Sequence, residues 1–195
     1  MDVSHDLFDQ IINIENLFLS WLEFRKGKAN KIDVQIFERN LEDNLFKLHW
    51  ELKNNIYRHQ PYKSFTIYDP KIRVIHKATV RDRIVHHAVF RILYPVFDPY
   101  LMPDSYSCRV GKGTHKAVER LDLFIRNVSR NYQQTCYALK CDIQKFFASV
   151  DHEILKKLLA RRISDRNVLE LLSGIISSFT TQAKIGAEAL GGGER

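Results

Sequence analysis

Cysteine is scarce in this 195-residue chain, which holds only Cys108, Cys136 and Cys141. Three thiols with no C-x-x-C spacing make a poor disulfide framework and fit a reducing compartment, the cytoplasm. Glycine and proline are also few, at 8 and 5 residues, while 45% of the chain is hydrophobic. That balance excludes low complexity or disorder over most of its length. No stretch approaches 18 apolar residues without a charge, so no membrane span is expected. The opening "MDVSHDLFDQ" lacks a basic segment and an apolar run, so no signal peptide is expected.

One charge sign is in excess. Thirty Lys and Arg against 23 Asp and Glu leave a net +7. This is compatible with a phosphate-rich partner, and clustering has to decide whether it means one. Lys71, Arg73, Lys77, Arg81, Arg83 and Arg91 do cluster, with Asp82 as the one acid among them. Lys71 and Arg73 are two apart and share a strand face, where they can grip a triphosphate. A solvated, salt-bridged surface is the plainer reading of the same six residues.

The hydrophobic pattern gives the elements. Leu7 to about Phe24 reads as a helix, and a second runs from about Val34 to Tyr57 with Phe37, Leu41, Leu45, Leu48, Leu52 and Ile56 as its stripe. "SFTIYDPKIRVIHKAT" changes to a period of two around Asp69-Pro70, a β-hairpin. Thr79 followed by Asp82 resembles a capping box that opens a helix ending before Pro95. A helix is expected from about Thr114 to Val128. "TCYALKCDI" reads as a strand with Tyr137, Leu139, Cys141 and Ile143 on one face. Asp151 is placed to cap an amphipathic helix carrying Ile154, Leu155, Leu158 and Leu159, and another helix spans about Asp165 to Ser178. The succession predicts an α+β fold.

Several residues have two readings on local grounds. Gly111 and Gly113 bracket Lys112 before a helix, which suits either a close phosphate approach or a turn with a cap. His86 and His87 point to different helix faces, so polar packing fits them better than metal binding. Asp142, at the exit of an apolar strand within "KCDIQKFFASVDH", is a candidate divalent-cation ligand or the partner of Lys140. Phe146 and Phe147 read locally as core.

Taken together the stretches are more specific. Lys71-Ile72-Arg73 with "RDRIVHHAV", then "DSYSCRVGKGTHKA", then "KCDIQKFFASVDHEIL", stand in the order of the first three blocks of reverse transcriptases. The chain resembles the prokaryotic retroelement type, which includes group II intron and retron enzymes. The wording around Cys108, Val110 and Lys112 looks closest to diversity-generating retroelements.

The resemblance implies a right-hand polymerase: a helical N-terminal extension over 1–60, fingers over 61–135 and the start of the palm over 136–180. Residues 181–195 would be a flexible tail or truncated end. It implies that Asp142 is the first of three catalytic aspartates holding two Mg²⁺ ions, with the Ile143 carbonyl also on the metal. Phe147 would be the steric gate under the incoming sugar. Lys71 and Arg73 would contact the triphosphate, and Arg109 the nucleotide or template. The implied partners are template RNA, a DNA or RNA primer, dNTPs and an accessory protein of the element, with no membrane. The family's later Tyr-x-Asp-Asp block, which supplies the other two aspartates, is not found in these 195 residues. They are therefore expected to be inactive alone. Two other readings stand beside this one: a defence-related or group II intron reverse transcriptase, and a truncated module that binds nucleic acid without catalysis.

Overall fold

The computed structural model describes residues 6–68, 72–143 and 146–190, with the side chains of Phe147, Ala148 and 180–190 left outside. It is mainly helical with one two-stranded sheet, an α+β composition. The chain divides into two compact units. One takes in Met1–Tyr94 and Asp151–Arg195, the other Pro95–Val150.

In the first unit, both long N-terminal helices of the sequence reading are broken in two. Helix α1 (Leu7–Ile12) stops at Asn13, which leaves helical geometry at φ −52°, ψ 133°. The Asn13 side chain then accepts the Glu15 N–H and caps α2 (Ile14–Arg25). Helix α3 (Ile32–Glu38) is likewise separated from α4 (Leu41–Lys53) at Arg39-Asn40. Leu17, Trp21 and Phe24 fall on one stripe of α2 and are buried, as are Leu45, Leu48 and Leu52 of α4. Trp21 lies 5.4 Å from Phe37 and 6.1 Å from Phe24, ring centre to ring centre.

The predicted hairpin forms. Strands β1 (Lys63–Ile67) and β2 (Arg73–Lys77) pair antiparallel, Lys63 opposite Lys77 and Ile67 opposite Arg73. Its turn, with Lys71, lies outside the described residues. Helix α5 (Val80–Phe97) follows and buries Ile84, Val85 and Ala88. It runs on through Pro95 instead of ending before it. A proline near a helix end removes one backbone donor, and two further residues continue the helix.

Both roots of the hairpin converge on one carboxylate. Asp82 is fully buried and accepts the Tyr57 hydroxyl at 2.8 Å, the Gln60 N–H at 3.1 Å and the Thr79 hydroxyl at 2.6 Å. Its own N–H returns to Thr79 Oγ1 at 3.3 Å, so the expected capping relation is present and extended. Burial first, and the Asp82 charge second, push the Tyr57 phenol up.

Helix α6 (Thr114–Val128) and the short α7 (Phe146–Ser149) belong to the second unit. Helix α6 matches its predicted limits, yet Val118, Leu121, Phe124 and Val128 are all exposed. The strand predicted over "TCYALKCDI" does not form, and residues 135–143 are irregular. Tyr137 is 95% and Leu139 91% exposed. The alternating pattern fits a strand, but a strand needs a neighbour to take its backbone hydrogen bonds. Among the described residues β1 and β2 pair only with each other, so this segment has no strand neighbour there.

The chain returns to the first unit with α8 (His152–Ala160) and α9 (Arg166–Leu190). Asp151 caps α8 as predicted, accepting from the N–H groups of Glu153 and Ile154 at 2.8 and 3.0 Å. Those two bonds hold its carboxyl below the usual carboxylate range. Helix α9 continues to Leu190, into the segment 181–195 expected to be a flexible tail or truncated end. Its Ala, Lys, Glu and Leu residues favour helix more than the nearby glycines suggest.

Asp165 joins the two ends of the first unit. Its Oδ1 accepts from Asn167 and Val168 at the start of α9, while Oδ2 accepts the Phe8 N–H of α1 at 2.9 Å. One carboxylate thus satisfies orphan donors of two helices.

Two outcomes follow. Asp82→Ala leaves the buried Tyr57 hydroxyl and two part-buried donors, the Gln60 N–H and the Thr79 hydroxyl, unmatched, and should lower unfolding free energy by about 3 kcal/mol. Urea melts would show this, and a loss below about 1 kcal/mol would contradict the assignment. Asp165→Ala should cost about 1–2 kcal/mol as a lost cap. It should also raise exchange at the Phe8 amide, far away in sequence. Exchange unchanged at Phe8 would show the bond to be idle.

Candidate nucleic-acid interface

Cations on a protein surface attract phosphates only if their charge is not already matched. In the basic cluster, four are matched. Asp33 of α3 takes both Lys77 at 2.7 Å and Arg83 at 2.8 Å. Arg81 pairs with Glu51 of α4 and lies 3.5 Å from Asp82. Arg91 pairs with Glu23 of α2 and reaches Asn16 at 3.0 Å. Two guanidinium groups also lie over rings, Arg83 on Phe24 at 4.6 Å and Arg81 on Tyr57 at 4.7 Å. Burial opposes ionisation of Asp33, yet Lys77 and Arg83 hold its carboxyl below the usual range. The cluster is therefore mostly a seam fastening β2 and α5 to the N-terminal helices, the plainer of its two readings.

Arg73 stands apart. It is exposed at the start of β2 and has no ion pair among the described residues. The strand register puts its side chain on the same face as Ile67, directly opposite, and as Phe65, Ile75, Lys63 and Lys77. Phe65 and Ile67 are 47% and 40% exposed. This face offers two cations unmatched among the described residues, Arg73 and Lys63, at its ends, with apolar and aromatic surface between. Phosphates can be taken by the ends and bases by the middle.

The second unit holds the other predicted site residues. The Arg109 side chain is 9% exposed and its guanidinium is turned into its own loop. It bonds Asp98 Oδ1 at 2.8 Å, the Met102 carbonyl at 2.9 Å and the Asp98 carbonyl at 3.3 Å. In this arrangement Arg109 shapes the loop before α6. Lys112 donates to the Pro103 carbonyl and lies 5.0 Å from the Tyr106 ring centre. Gly111 and Gly113, at φ 71° and 123°, supply the left-handed backbone that this turn requires.

Asp142 and Ile143 lie on the irregular segment and are exposed. Asp142 makes no hydrogen bond or ion pair among the described residues, so Lys140 is not its partner. No group of three His, Cys, Asp or Glu among the described residues is arranged to hold a metal. Hard divalent cations demand several converging oxygens, so the donors placed here do not by themselves fit a two-magnesium centre. The side chain of Phe147 lies outside the described residues, as does Lys71.

Sequence reasoning missed a line of rings beside the hairpin root. His59 stacks on His86 at 5.2 Å and on Tyr62 at 4.7 Å, and Phe179 of α9 meets the edges of Tyr62 and His76. His87, by contrast, packs on Phe24. Separation onto two helix faces was readable. The partners were not, because Phe179 is about a hundred residues away.

No family model matches the chain. It is 27% identical over 118 residues to Protein YkfC of Escherichia coli, covering 58% of the chain and 30% of that protein. It is 23% identical over 176 residues to the putative COX1/OXI3 intron 1 protein of Saccharomyces cerevisiae, covering 88% of the chain and 20% of the relative. Against the group II intron-encoded protein LtrA of Lactococcus lactis the identity is 24% over 134 residues, covering 67% and 21%. The chain thus spans between a fifth and a third of the length of these curated relatives. Its distant homologues include intron-encoded proteins.

Proposed function

We propose that the chain is the amino-terminal part of a retroelement reverse transcriptase, an RNA-directed DNA polymerase. The observation that carries this reading is the ordered set of three blocks, from Lys71-Ile72-Arg73 to "KCDIQKFFASVDHEIL", in a chain whose relatives include intron-encoded proteins. In this reading the N-terminal helices are an extension and the β1–β2 hairpin belongs to the fingers. Arg73 and Lys71 take the triphosphate or template phosphates, Arg109 lies by the nucleotide or template, and Phe147 gates the sugar. Asp142 and the Ile143 carbonyl contribute to a two-Mg²⁺ centre completed by carboxylates these residues do not supply. Template RNA, a primer and dNTPs are the partners, and the cytoplasm is the compartment. By themselves the 195 residues would bind RNA without polymerising.

The subfamily has two readings, each with its own support. Cys108, Val110 and Lys112 favour a diversity-generating element, with an accessory protein. The similarity to LtrA and the yeast intron protein favours an intron-encoded enzyme.

Salt titration of RNA binding tests the interface. The chain should bind single-stranded RNA with an affinity that falls steeply as salt rises. Arg73→Ala should weaken binding about threefold to tenfold and reduce the logarithmic salt slope by about one. Arg83→Ala removes an internal ion pair, so it should lower stability and leave the slope unchanged. Absence of salt-dependent RNA binding would overturn the reading. Primer extension with RNA template, dNTPs and Mg²⁺ should give no product. Robust synthesis that Asp142→Ala abolishes would refute the inactivity of these residues alone.

A further inference from the structure

The rings beside the hairpin root are built around two buried nitrogens that have no hydrogen-bond partner among the described residues. His59 Nδ1 lies 2.7 Å from the Gln60 carbonyl, which fixes the proton on Nδ1 and leaves Nε2 a bare acceptor. That Nε2 is buried without a partner, and so is Nε2 of His86. The two rings are 15° from parallel at 5.2 Å. Near-parallel rings keep their lone pairs in two separate, near-parallel planes, so the pair is ill-suited to converge on one cation. The arrangement suits two neutral imidazoles and no additional charge.

The pair also sits where a small change has reach. His59 and Tyr62 lie on the segment that enters β1, His86 is on α5, His76 is on β2 and Phe179 is on α9. Tyr62 contacts Phe179 and comes within 3.5 Å of Ser178. The stack therefore fastens the incoming root of the hairpin to α5 on one side and to α9 on the other.

We infer that the His59–His86 stack is a pH-sensitive latch on the hairpin. With both rings neutral it holds residues 57–62 against α5 and α9, and in acid His86 takes a proton and the segment lifts into water. This goes beyond the reverse transcriptase reading and does not depend on it.

The charges around the pair set the direction. Burial first, and His59 second, push His86 down to about 4. Among the groups of α5, Asp82 favours the protonated ring while His87 and Arg83 oppose it. Arg58, next to His59, and Glu170 of α9 share the adjoining cavity of about 490 Å³ with His59, and His76 approaches through Phe179. A solvated imidazole titrates near 6.5. Between these values the open segment binds more protons than the closed one. The latch is therefore whole above pH 6.5 and weakens as pH falls toward 4.

Hydrogen exchange at the Gln60 amide, which is donated to Asp82, reads the latch directly. After correction for intrinsic exchange, its protection should fall about tenfold between pH 6 and pH 5, above the range where ordinary carboxylates titrate. Leu48, in the core of α4, should keep its protection over the same interval. His86→Phe keeps a ring and removes the proton site, and its Gln60 protection should be flat with pH. If that variant does not fold, the His86 ring resonance of the unaltered chain serves instead, and should titrate together with the loss at Gln60. A flat profile in the unaltered chain, an unchanged slope in His86→Phe, or loss at Leu48 in step with Gln60 would overturn the latch. So would a His86 ring that titrates with no change at Gln60. RNA binding enters none of these readouts, so failure here leaves the functional reading standing.

Discussion

A buried carboxylate has to be fully satisfied or it works against the fold, and the first unit is arranged around satisfying one. Asp82 receives a hydroxyl and an N–H from the chain entering the hairpin, and a hydroxyl from the chain leaving it. A two-stranded hairpin is marginal by itself. Fixing both of its ends at one point inside the helical core gives β1 and β2 a defined root while their faces remain in solvent. The ion pairs of Lys77, Arg81, Arg83 and Arg91 continue this fastening along α5.

Charge is therefore divided by position. Cations near the root face Asp33, Glu51 and Glu23, and they hold helices together. Arg73 and Lys63, away from those acids, remain in solvent on a strip that also carries Phe65 and Ile67. A net charge of +7 says little about such a division. Which cations are matched depends on helices that the sequence leaves unplaced relative to one another.

Local signals in the sequence carried well. The hairpin, the limits of α6, the Thr79–Asp82 relation and the Asp151 cap all depend on residues a few positions apart, and all are present. Signals that needed a distant partner did not. The alternation of Tyr137, Leu139, Cys141 and Ile143 describes how a strand would present its faces, but a strand also needs a neighbour. The Asp165 bond to Phe8 and the ring contacts of Phe179 span too much sequence to be read from pattern. Helix breaks at Asn13 and Asn40 were hidden because the apolar stripe continues across them. Of the candidate site, Arg73 is on an exposed strand as the pattern required. Asp142 is exposed on irregular chain, and Arg109 is turned into its loop.

Crosslinking a photoreactive single-stranded RNA to the chain, followed by peptide mapping, tests the central claim that the free face of the hairpin meets nucleic acid. The account predicts adducts within residues 63–77, on Phe65 or its neighbours on that face. Adducts confined to other segments, with the hairpin unmodified, would contradict it.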